Sequence, residues 1–528
     1  MTATETRTQV AIGGGGPVGL ATAVELGRRG ISCVVVEPRA VVSHARPRCK
    51  TVNVRSMEHL RRWGIADRFR DAAPLSTDWS KDLVFCTTLN GYELSRFTGV
   101  FGLEYEGDRF PELGQQSPQF VLEEVLREVV EEIPSCRLIL GARVSGVEQD
   151  EDEVRMTITR EDGSSEVIVA DYAVGCDGPR SAVRDAIGSQ YVGPAAMRPN
   201  FGMLFRAPDL WDHVAPGRAI QYWMINPYAP GVMGPLDGKD IWWAAFLGVD
   251  EARGEREAQA LLTHAIGTEI PLEVLSTDPW TASMRLVDHA RVGRAFLAGD
   301  AAHLNPPFGG HGLNTGVGDA VDIGWKLAAV LQGWGGAGLL DSYEIERRQV
   351  QGKVIAEAEA NMTVLPTELS NPNIAVEGAA GDEARRRADV RIQETKHREF
   401  HSLDHVLGLG YEGSPIVVDG PSDAAGARPG YRLPHVWLSS GKSVYDELGA
   451  DFTLLDFGAD GDAAAETLRE NCDREGIPLK LLRLGSENVR DRYGADLVLV
   501  RPDQHVAWRG DDGAHAQRAI DIARGVPV

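Results

Sequence analysis

Three glycines and one carboxylate near the start of the sequence have the types and spacing needed to hold a dinucleotide. Gly14, Gly16 and Gly19 form a G-x-G-x-x-G pattern, and Glu37 follows 18 residues after Gly19. Such glycines allow a tight turn, a close approach of the backbone to a pyrophosphate and close packing of helix on strand. A carboxylate at about this distance can accept hydrogen bonds from ribose hydroxyls. The pattern therefore predicts a site for the adenosine part of NAD or FAD.

The elements around this motif are those that a nucleotide site requires. The segments TQVAIGG, PVGLATAVELGRRG and ISCVVVEPR have the patterns of a strand, a helix and a strand, which form the βαβ unit of a parallel sheet. The G-x-G-x-x-G pattern recurs at 333–338 and 408–413, where it ends a helix or lies in a loop and indicates turns. Only the first copy follows a strand and opens a helix. That context favours dinucleotide binding over a purely structural glycine loop.

The rest of the chain contains three further kinds of pattern. Residues 190–285 hold strand-like pieces such as IQYWMIN and DIWWAAFLG, which predict an inserted antiparallel sheet. The segment RAFLAGD and the long apolar-periodic helix GLNTGVGDAVDIGWKLAAVL are predicted to belong to the nucleotide-binding domain. Charged helical patterns then continue to about residue 400. Residues 410–430 have the composition of a linker, and the last hundred residues indicate a small α/β unit.

Composition excludes several functional classes. The 528 residues include 54 Lys and Arg against 77 Asp and Glu, a net charge of −23 that disfavours binding to nucleic acids and anionic membranes. An apolar run long enough to cross a membrane is absent, and the glycine-rich stretch after Arg7 is a poor signal peptide. The six cysteines are scattered without a CxxC pair, which indicates reduced thiols rather than disulfides or zinc. We therefore expect a cytoplasmic protein.

Three motifs, taken together, resemble the para-hydroxybenzoate hydroxylase family of single-component (class A) FAD-dependent aromatic monooxygenases. They are GGGPVGL with Glu37, VGCDGPRSAVR at 174–184, and RAFLAGDAAHLNPPFGGHGLNTGVGDAVDIGWKLA at 294–328. The last hundred residues are similar to the thioredoxin-like extension of larger family members, and DLVLVRPDQHVAWRG matches its final hairpin. Cys472 is the lone cysteine of that region, so a packing or oligomerisation role is expected there instead of thiol redox chemistry.

The resemblance implies an α/β fold with a Rossmann-type FAD-binding domain, an inserted antiparallel-sheet substrate domain and a thioredoxin-like C-terminal domain. The predicted boundaries assign the FAD-binding domain to 1–80, 115–188 and 285–365, the substrate domain to 81–114 and 189–284, a helical segment and linker to 366–428, and the C-terminal domain to 429–528.

The resemblance also implies which residues bind FAD. Asp177 and Arg180 would border the pyrophosphate and the path of the nicotinamide, and Asp300 would bind the ribityl chain. Pro307 would line the site beside the substrate, in a loop that lies against the flavin ring. The full predicted set is Gly14, Gly16, Gly19, Glu37, Arg48, Gln119, Asp177, Arg180, Asp300, Pro307, Gly309, Gly310, Leu313 and Asn314. Solvent-exposed polar roles for Arg48 and Gln119, and a plain Asp-Gly turn at Asp177, remain alternatives.

Catalytic residues are less well defined than cofactor-binding residues. Tyr222 and Trp223 are neighbours in a strand, so only one of them can face the pocket. Tyr222 could relay a phenolic proton or could be a core residue, and His311 could touch substrate or face solvent. The predicted catalytic set is Pro307, Tyr222 and His311. Aromatic residues of the inserted sheet could line a substrate pocket or form an ordinary core: Phe201, Phe205, Trp223, Trp242, Trp243 and Phe246.

A metal site is not expected. His397, His401 and His405 recur every four residues, which would place them on one face of a helix, but the HExxH arrangement is missing. An exposed helix face explains the spacing better than a metal site.

By resemblance, NAD(P)H would reduce FAD, and reduced flavin would trap O2 as a C4a-hydroperoxide that hydroxylates a phenolic or polycyclic aromatic substrate. The expected partners are therefore NAD(P)H, O2 and a small aromatic molecule, with homo-oligomerisation left open. The alternatives on the same scaffold are epoxidation, Baeyer–Villiger oxygenation and halogenation. A further alternative is a non-catalytic, flavin-bound redox sensor. The sequence does not distinguish NADH from NADPH.

Overall fold

The computed structural model describes residues 5–46, 50–362, 369, 371–418, 426–458, 463–487 and 489–527. Its helices are α1 (Pro17–Gly27), α2 (Val54–Arg62), α3 (Ala66–Ala72), α4 (Gln119–Glu132), α5 (Ala182–Ala186), α6 (Glu251–Ile266), α7 (Gly312–Leu331), α8 (Ala337–Met362), α9 (Ala379–Phe400), α10 (Leu403–Gly408), α11 (Ala463–Glu475), α12 (Arg490–Tyr493) and α13 (Gly513–Ala523).

The described strands form five sheets. In chain order they are β1 (Glu5–Gly13), β2 (Cys33–Glu37), β3 (Thr51–Val52), β4 (Leu83–Cys86), β5 (Glu93–Phe97), β6 (Gln115–Gln116), β7 (Cys136–Leu140), β8 (Ala142–Gln149), β9 (Val154–Arg160), β10 (Ser165–Gly175), β11 (Tyr191–Val192), β12 (Arg198–Arg206), β13 (Gln221–Met224), β14 (Gly231–Pro235), β15 (Ile241–Leu247), β16 (Glu273–Ala282), β17 (Arg285–Val287), β18 (Arg291–Val292), β19 (Ala295–Leu297), β20 (His303–Leu304), β21 (Phe452–Asp456), β22 (Leu479–Arg483), β23 (Leu497–Val500) and β24 (Val506–Gly510).

A parallel sheet forms the centre of the first domain. Its strands β19, β10, β1, β2 and β7 are adjacent in that order and all parallel. The five residues of β2, CVVVE, are all buried, as expected for a strand covered on both faces. Helices α1 and α7 pack against each other in the same core. This parallel arrangement places the carboxyl ends of β1, β10 and β19 side by side, where ligands bind in such sheets.

A seven-stranded sheet forms the second domain, in the order β16-β12-β15-β14-β13-β4-β5. Its pairs are antiparallel except for β13 with β4, so the early segment β4–β5 joins strands that are more than a hundred residues distant in sequence. Residues on one side of this sheet face α6, while those on the other side face α9 and the first domain. The two faces therefore have separate cores.

The C-terminal unit has a four-stranded sheet, β22-β21-β23-β24, with α11 and α13 packed in its core. The pair β21–β22 is parallel and joined through α11, while β23 and β24 form a hairpin. This is the predicted thioredoxin-like arrangement. None of the described helices has both the length and the apolar character needed to span a bilayer.

The predicted fold class is confirmed in each of its three parts. The helix predicted from GLNTGVGDAVDIGWKLAAVL is α7, with the same first and last residues. The predicted linker 410–430 lies partly outside the described residues.

Candidate functional site

The predicted glycine turn closes tightly at one position and opens to solvent at another. Gly14 has φ +96°, and a Cβ there would lie 2.3 Å from the carbonyl oxygen of Cys176. A Cβ on Gly19 would lie 1.9 Å from the carbonyl oxygen of Gly14, so helix and turn also touch. A Cβ on Gly16, which precedes α1, would meet no atom within 4 Å. Thus Gly14 and Gly19 serve the fold, whereas Gly16 keeps space clear at the start of α1.

Glu37 lies directly beside this turn. It is 3 % exposed, and its Oε2 accepts a hydrogen bond of 2.9 Å from the backbone N–H of Gly15. Its Oε1 accepts from the Arg39 side chain at 2.6 Å, and Arg39 in turn reaches Glu123 at 2.8 Å. The carboxylate is therefore fixed at the end of β2 by two neighbours. Gln119, the first residue of α4, is half-buried near Glu123.

Asp177 shapes the loop that follows β10. Its Oδ2 accepts from the backbone N–H of Ala182 at 2.7 Å, which ties the loop to α5. Its Oδ1 is buried and has no hydrogen-bond partner among the described residues. Burial raises the pKa of this carboxyl, although a hydrogen bond from Ser181 opposes the shift. Arg180 is exposed and stands outside this bonding pattern.

Asp300 lies in the turn after β19, next to the first two loops. Its carbonyl oxygen accepts a hydrogen bond from the hydroxyl of Tyr191, and the residue is exposed. A Cβ on the preceding Gly299 would lie 2.9 Å from Val18 in α1, so the β19 turn also approaches the glycine turn. The three loops predicted to bind FAD therefore converge at one edge of the parallel sheet.

A buried charged group that the sequence reasoning missed supports this edge. Asp319 of α7 is fully buried, and its carboxylate accepts from the Gly299 backbone N–H at 3.0 Å and binds Arg347 at 2.8 Å. Burial alone would raise the pKa of Asp319, but Arg347 and His303 outweigh burial and lower it. The signal in the sequence was an Asp in the middle of an apolar helix, which requires a buried partner.

The segment from Pro307 to Asn314 joins the β19 turn to α7. Pro307 is exposed, whereas Gly309 and Gly310 have φ of +79° and +68°, where an L side chain is strained. The Asn314 amide donates to the carbonyl oxygens of Thr51 at 3.0 Å and Gly310 at 2.7 Å.

The Asn314 Oδ1 accepts from the backbone N–H of Asn53 at 2.9 Å and from the hydroxyl of Ser56 at 2.7 Å. Its side chain therefore holds this segment against β3 and α2. Any contact with a ring would come from the backbone of Asn314. Leu313 is partly buried against the first-domain core.

The structure decides against one of the two expectations for His311. The residue is 3 % exposed, so it does not face solvent, and its ring lies 5.4 Å from that of His405. Burial lowers the pKa of His311 to about 3, and the nearby His405 adds to the shift, so the ring stays neutral. It lines a cavity of about 60 Å³ between α7, α8 and the C-terminal domain.

The structure removes the reason for proposing Tyr222 as a proton relay. Tyr222 is fully buried on the α6 face of its sheet, and its hydroxyl donates to the carbonyl oxygen of Gly217 at 2.5 Å. Trp223 faces the other way, with its ring 6.3 Å from Phe308. The strand alternation therefore selects Trp223 for the face toward the first domain.

The other aromatic candidates divide by the same rule. Phe201, Phe205, Trp242 and Phe246 belong to the core against α6. Trp243 faces the first domain, with the Lys50 ammonium 3.7 Å from its ring centroid.

The three spaced histidines do not converge. His397 and His401 stack at 4.3 Å, but His405 lies on α10 beside Glu357. Among the described residues, no group of three His, Cys, Asp or Glu side chains could hold a metal ion. Arg48 lies outside the described residues.

The residues at the sheet edge fit FAD. A pyrophosphate needs an open glycine at the start of a helix, and Gly16 provides it. The polar edge of an isoalloxazine ring needs main chain without side chains, and Gly309 and Gly310 provide it. Asp177 offers a buried oxygen that still lacks a donor. The start of α7 has no side-chain cap among the described residues, so its first amides can meet an anion.

Comparison with known proteins agrees with this assignment. Residues 7–358 match the family described as FAD binding domain, and residues 426–525 match the family described as aromatic-ring hydroxylase, C-terminal. The chain is 32 % identical to the FAD-dependent monooxygenase apdD of Emericella nidulans, over 97 % of this chain and 89 % of the relative. It is 32 % identical to aklavinone 12-hydroxylase RdmE of Streptomyces purpurascens, over 96 % of each chain.

A solved structure extends the similarity to the whole fold. The rebeccamycin biosynthetic enzyme RebC with reduced flavin superposes with a TM-score of 0.92 at 34 % identity, covering 99 % of this chain and all of that one. Fold and site together define a flavoprotein oxidoreductase with a nucleotide-binding sheet and a separate substrate sheet. The chain belongs to the para-hydroxybenzoate hydroxylase family of FAD-dependent aromatic monooxygenases, and it is an enzyme of that type.

Proposed function

We propose that this enzyme binds FAD across the converging loops, takes electrons from NAD(P)H, and adds one oxygen atom of O2 to a polycyclic phenol. The observation that carries the proposal is the contrast within the glycine turn. A side chain at Gly14 would strike backbone, while one at Gly16 would enter open space at the start of α1. Such open space at a helix N-terminus is where a pyrophosphate binds in this fold.

The FAD contacts that we propose follow the order of the loops. Gly14, Gly16 and Gly19 with Glu37 would hold the adenosine half, helped by Gln119 and Arg48. Asp177 and Arg180 would lie near the pyrophosphate, and Asp300 near the ribityl chain. The ring would lie along the backbone of the segment that contains Pro307, Gly309, Gly310, Leu313 and Asn314.

Bound FAD supplies the redox chemistry with NAD(P)H and O2, which no amino-acid side chain can supply. The protein provides binding, orientation and the exclusion of water. The uncapped amide end of α7 would stabilise negative charge at the neighbouring end of the ring. Three of the four side-chain hydrogen bonds of Asn314 join that helix end to β3 and to the start of α2, so its amides need not reorganise during the reaction.

The substrate would bind at the sheet face that carries Trp223 and Trp243. Both side chains are at most 5 % exposed, and both indole N–H groups lack hydrogen-bond partners among the described residues. Large aromatic surfaces with a few unused donors are typical of sites that bind flat aromatic ligands with polar substituents. Phe85 stacks on Trp223 at 5.7 Å and extends this face.

The names of the relatives support the same substrate class. RdmE is named for the hydroxylation of aklavinone, and a relative from Streptomyces halstedii is named a putative polyketide hydroxylase. We carry this class over to the present enzyme as a proposal. The alternatives of epoxidation, Baeyer–Villiger insertion, halogenation and flavin-bound sensing have no observation in their favour.

Two further parts of the function are proposed. The five described cysteines are free thiols, including Cys33 and Cys136 with sulfurs 3.4 Å apart, which supports a reducing cytoplasm as the working compartment. The C-terminal domain inserts Arg501 into the first domain, which supports a packing role for it. Homo-oligomerisation remains a prediction, which light scattering of the purified enzyme would test.

A substrate panel tests the proposed activity. NAD(P)H oxidation by the purified holoenzyme would be measured with phenols of one to four rings, and the products identified by mass. We expect the three- and four-ring phenols to stimulate oxidation most and to gain one oxygen. Equal stimulation by single-ring phenols would contradict the substrate class. Ester products would favour Baeyer–Villiger insertion instead, and unstimulated oxidation would favour a redox sensor.

A further inference from the structure

Two cysteine sulfurs face each other at the start of two neighbouring strands. Cys33 is the first residue of β2 and Cys136 the first residue of β7, and the two residues are directly paired in the parallel register of these strands. The Cys33 thiol donates to the Cys136 sulfur at 3.4 Å, although the residues are 103 positions apart in the sequence. The two thiols are therefore neighbours only because the chain has folded.

The backbone spacing of this pair suits a disulfide. Neighbouring strands lie about 4.8 Å apart, so the Cα atoms of directly paired residues are separated by about that distance. Residues joined by a disulfide usually have Cα atoms about 4.4–6.8 Å apart. The strands therefore need not separate or change register for the two sulfurs to close from 3.4 Å to a bond of about 2.05 Å.

Helix α1 confines the Cys136 sulfur. A Cβ on Gly27, the last residue of α1, would lie 2.4 Å from this sulfur. The same sulfur also contacts the carbonyl oxygen of Ala23 in α1 at 3.4 Å. The glycine leaves room for a sulfur at this position, and the contacts with α1 and Cys33 together fix where that sulfur lies.

The two thiols differ in access and in acidity. Cys33 is 1 % exposed, whereas Cys136 is only partly buried, so an oxidant in solvent reaches Cys136 first. The hydrogen bond from Cys33 lowers the pKa of Cys136, with burial opposing the shift, and the same bond together with burial raises the pKa of Cys33. Because the thiolate is the form that peroxides oxidise, Cys136 is the thiol that reacts first.

We propose that Cys33 and Cys136 are a modification site, at which hydrogen peroxide forms a reversible disulfide between β2 and β7. The Cys136 thiolate attacks one oxygen of the peroxide, the O–O bond breaks, and a sulfenic acid and hydroxide form. The Cys33 sulfur then attacks the Cys136 sulfur, the S–O bond breaks, and the oxygen leaves as water with the Cys33 proton. In sum, two thiols lose two electrons and two protons, and one peroxide becomes two waters.

The disulfide would clamp one edge of the nucleotide-binding sheet. Strand β7 ends the path of parallel strands in this sheet, and β2 is its neighbour there. The last residue of β2 is Glu37, so the clamp holds the strand that carries the carboxylate proposed for the adenosine half of FAD. The chemistry of the clamp does not depend on the proposed function, because it needs only hydrogen peroxide and the two thiols.

The test is oxidation of the purified, reduced enzyme by excess hydrogen peroxide, followed by alkylation of the remaining thiols, proteolysis and mass spectrometry without reductant. We expect a linked peptide that contains Cys33 and Cys136 and that dithiothreitol separates again. Cys33→Ser should stop at a sulfenic acid on Cys136, which dimedone traps, and Cys136→Ser should leave Cys33 reduced. The matched control Cys472→Ala removes a thiol from α11 and should form the same linked peptide as wild type.

Thermal unfolding measures the clamp itself. Since the disulfide closes a long loop of the unfolded chain, the oxidised enzyme should unfold at a Tm roughly 2–4 °C above that of the reduced enzyme. An unchanged or lower Tm would overturn the clamp.

Four mass-spectrometric results would overturn the modification site. Both thiols of the wild type could stay reduced while glutathione added to the same solution is oxidised, or Cys136 could proceed to a sulfinic acid with Cys33 still reduced. Either thiol could instead form its disulfide with a different cysteine, or Cys33 could be oxidised in Cys136→Ser. The first three results come from wild-type protein, so they decide even if a variant does not fold.

Discussion

Replacing Arg501 by Met should destabilise the enzyme more than any exposed substitution. The guanidinium lies in the C-terminal domain but binds Glu346 of α8 through two bonds, of 2.5 and 2.9 Å. It also binds Asp503 at 2.7 Å and approaches Asp322 of α7 at 3.3 Å. These side chains are at most 2 % exposed. Burial raises the pKa of Asp322 to about 7, with Lys326 opposing the shift and Glu346 adding to it.

The expected loss of stability follows from the buried charges that would remain without Arg501. Near neutral pH, two cations, Lys326 and Arg501, face the carboxylates of Glu346 and Asp503 and a partly protonated Asp322. Removing one partner of a buried pair costs about 3–5 kcal/mol, because the other charge stays buried. For a protein of this size we expect the Tm to fall by roughly 3–5 °C.

The assay is thermal unfolding of the holoenzyme, followed by circular dichroism and by flavin fluorescence. The matched control is Arg492→Met, which removes another ion pair between the C-terminal domain and the rest, with Asp108 at 3.0 Å. Its two side chains are 40 % and 46 % exposed, so the loss should be at most about 1 kcal/mol. Equal Tm values for the two variants would refute the reasoning that burial makes Arg501 essential.

Three other predictions test the site. Because the folded protein keeps His311 neutral with a pKa of about 3, wild-type stability should fall as the pH falls below about 6.5. His311→Leu removes this titrating group, so between pH 7 and pH 5 the free energy of unfolding of the variant should rise by about 2 kcal/mol relative to that of wild type, as measured by urea titration. The same dependence of the unfolding free energy on pH in both proteins would contradict this prediction. Tyr222→Phe should leave kcat and its pH profile unchanged, since the partners of the hydroxyl among the described residues are Gly217 and Ala219 of its own turn. An altered profile would restore Tyr222 as a proton relay. Gly16→Ala should weaken FAD binding at least about tenfold in fluorescence titrations without loss of Tm. The control Gly352→Ala, at a helical glycine with equally open surroundings, should change neither the affinity nor the Tm. Unchanged affinity in Gly16→Ala would place the pyrophosphate elsewhere.

Local patterns in the sequence predicted the first βαβ unit, the inserted antiparallel sheet and a C-terminal α/β unit, whereas the assignment of these parts to FAD and to a thioredoxin-like fold came from the family resemblance. Strand-turn-helix spacing located the glycine turn, and apolar periodicity located α7 with both its ends. These features depend on neighbours in sequence. The parallel pairing of β13 with β4 joins distant segments, and local periodicity carries no information about it.

Side-chain direction was the part that the sequence left open. Alternation showed that Tyr222 and Trp223 face opposite ways, but the choice between the two faces depends on where α6 packs. Asp319, Glu346 and Arg501 were missed because their partners come from other elements, brought together only by folding. Charged residues within apolar segments were the available signal.

Isotope labelling tests the central claim most directly. The purified holoenzyme would be supplied with NAD(P)H, a polycyclic phenol and ¹⁸O2 in ordinary water, and the product analysed by mass spectrometry. An FAD-dependent aromatic hydroxylase should yield a ring-hydroxylated product with one labelled oxygen atom, and the protein should contain one FAD per chain. A product whose new oxygen comes from water, or catalysis by protein that contains no FAD, would contradict the account.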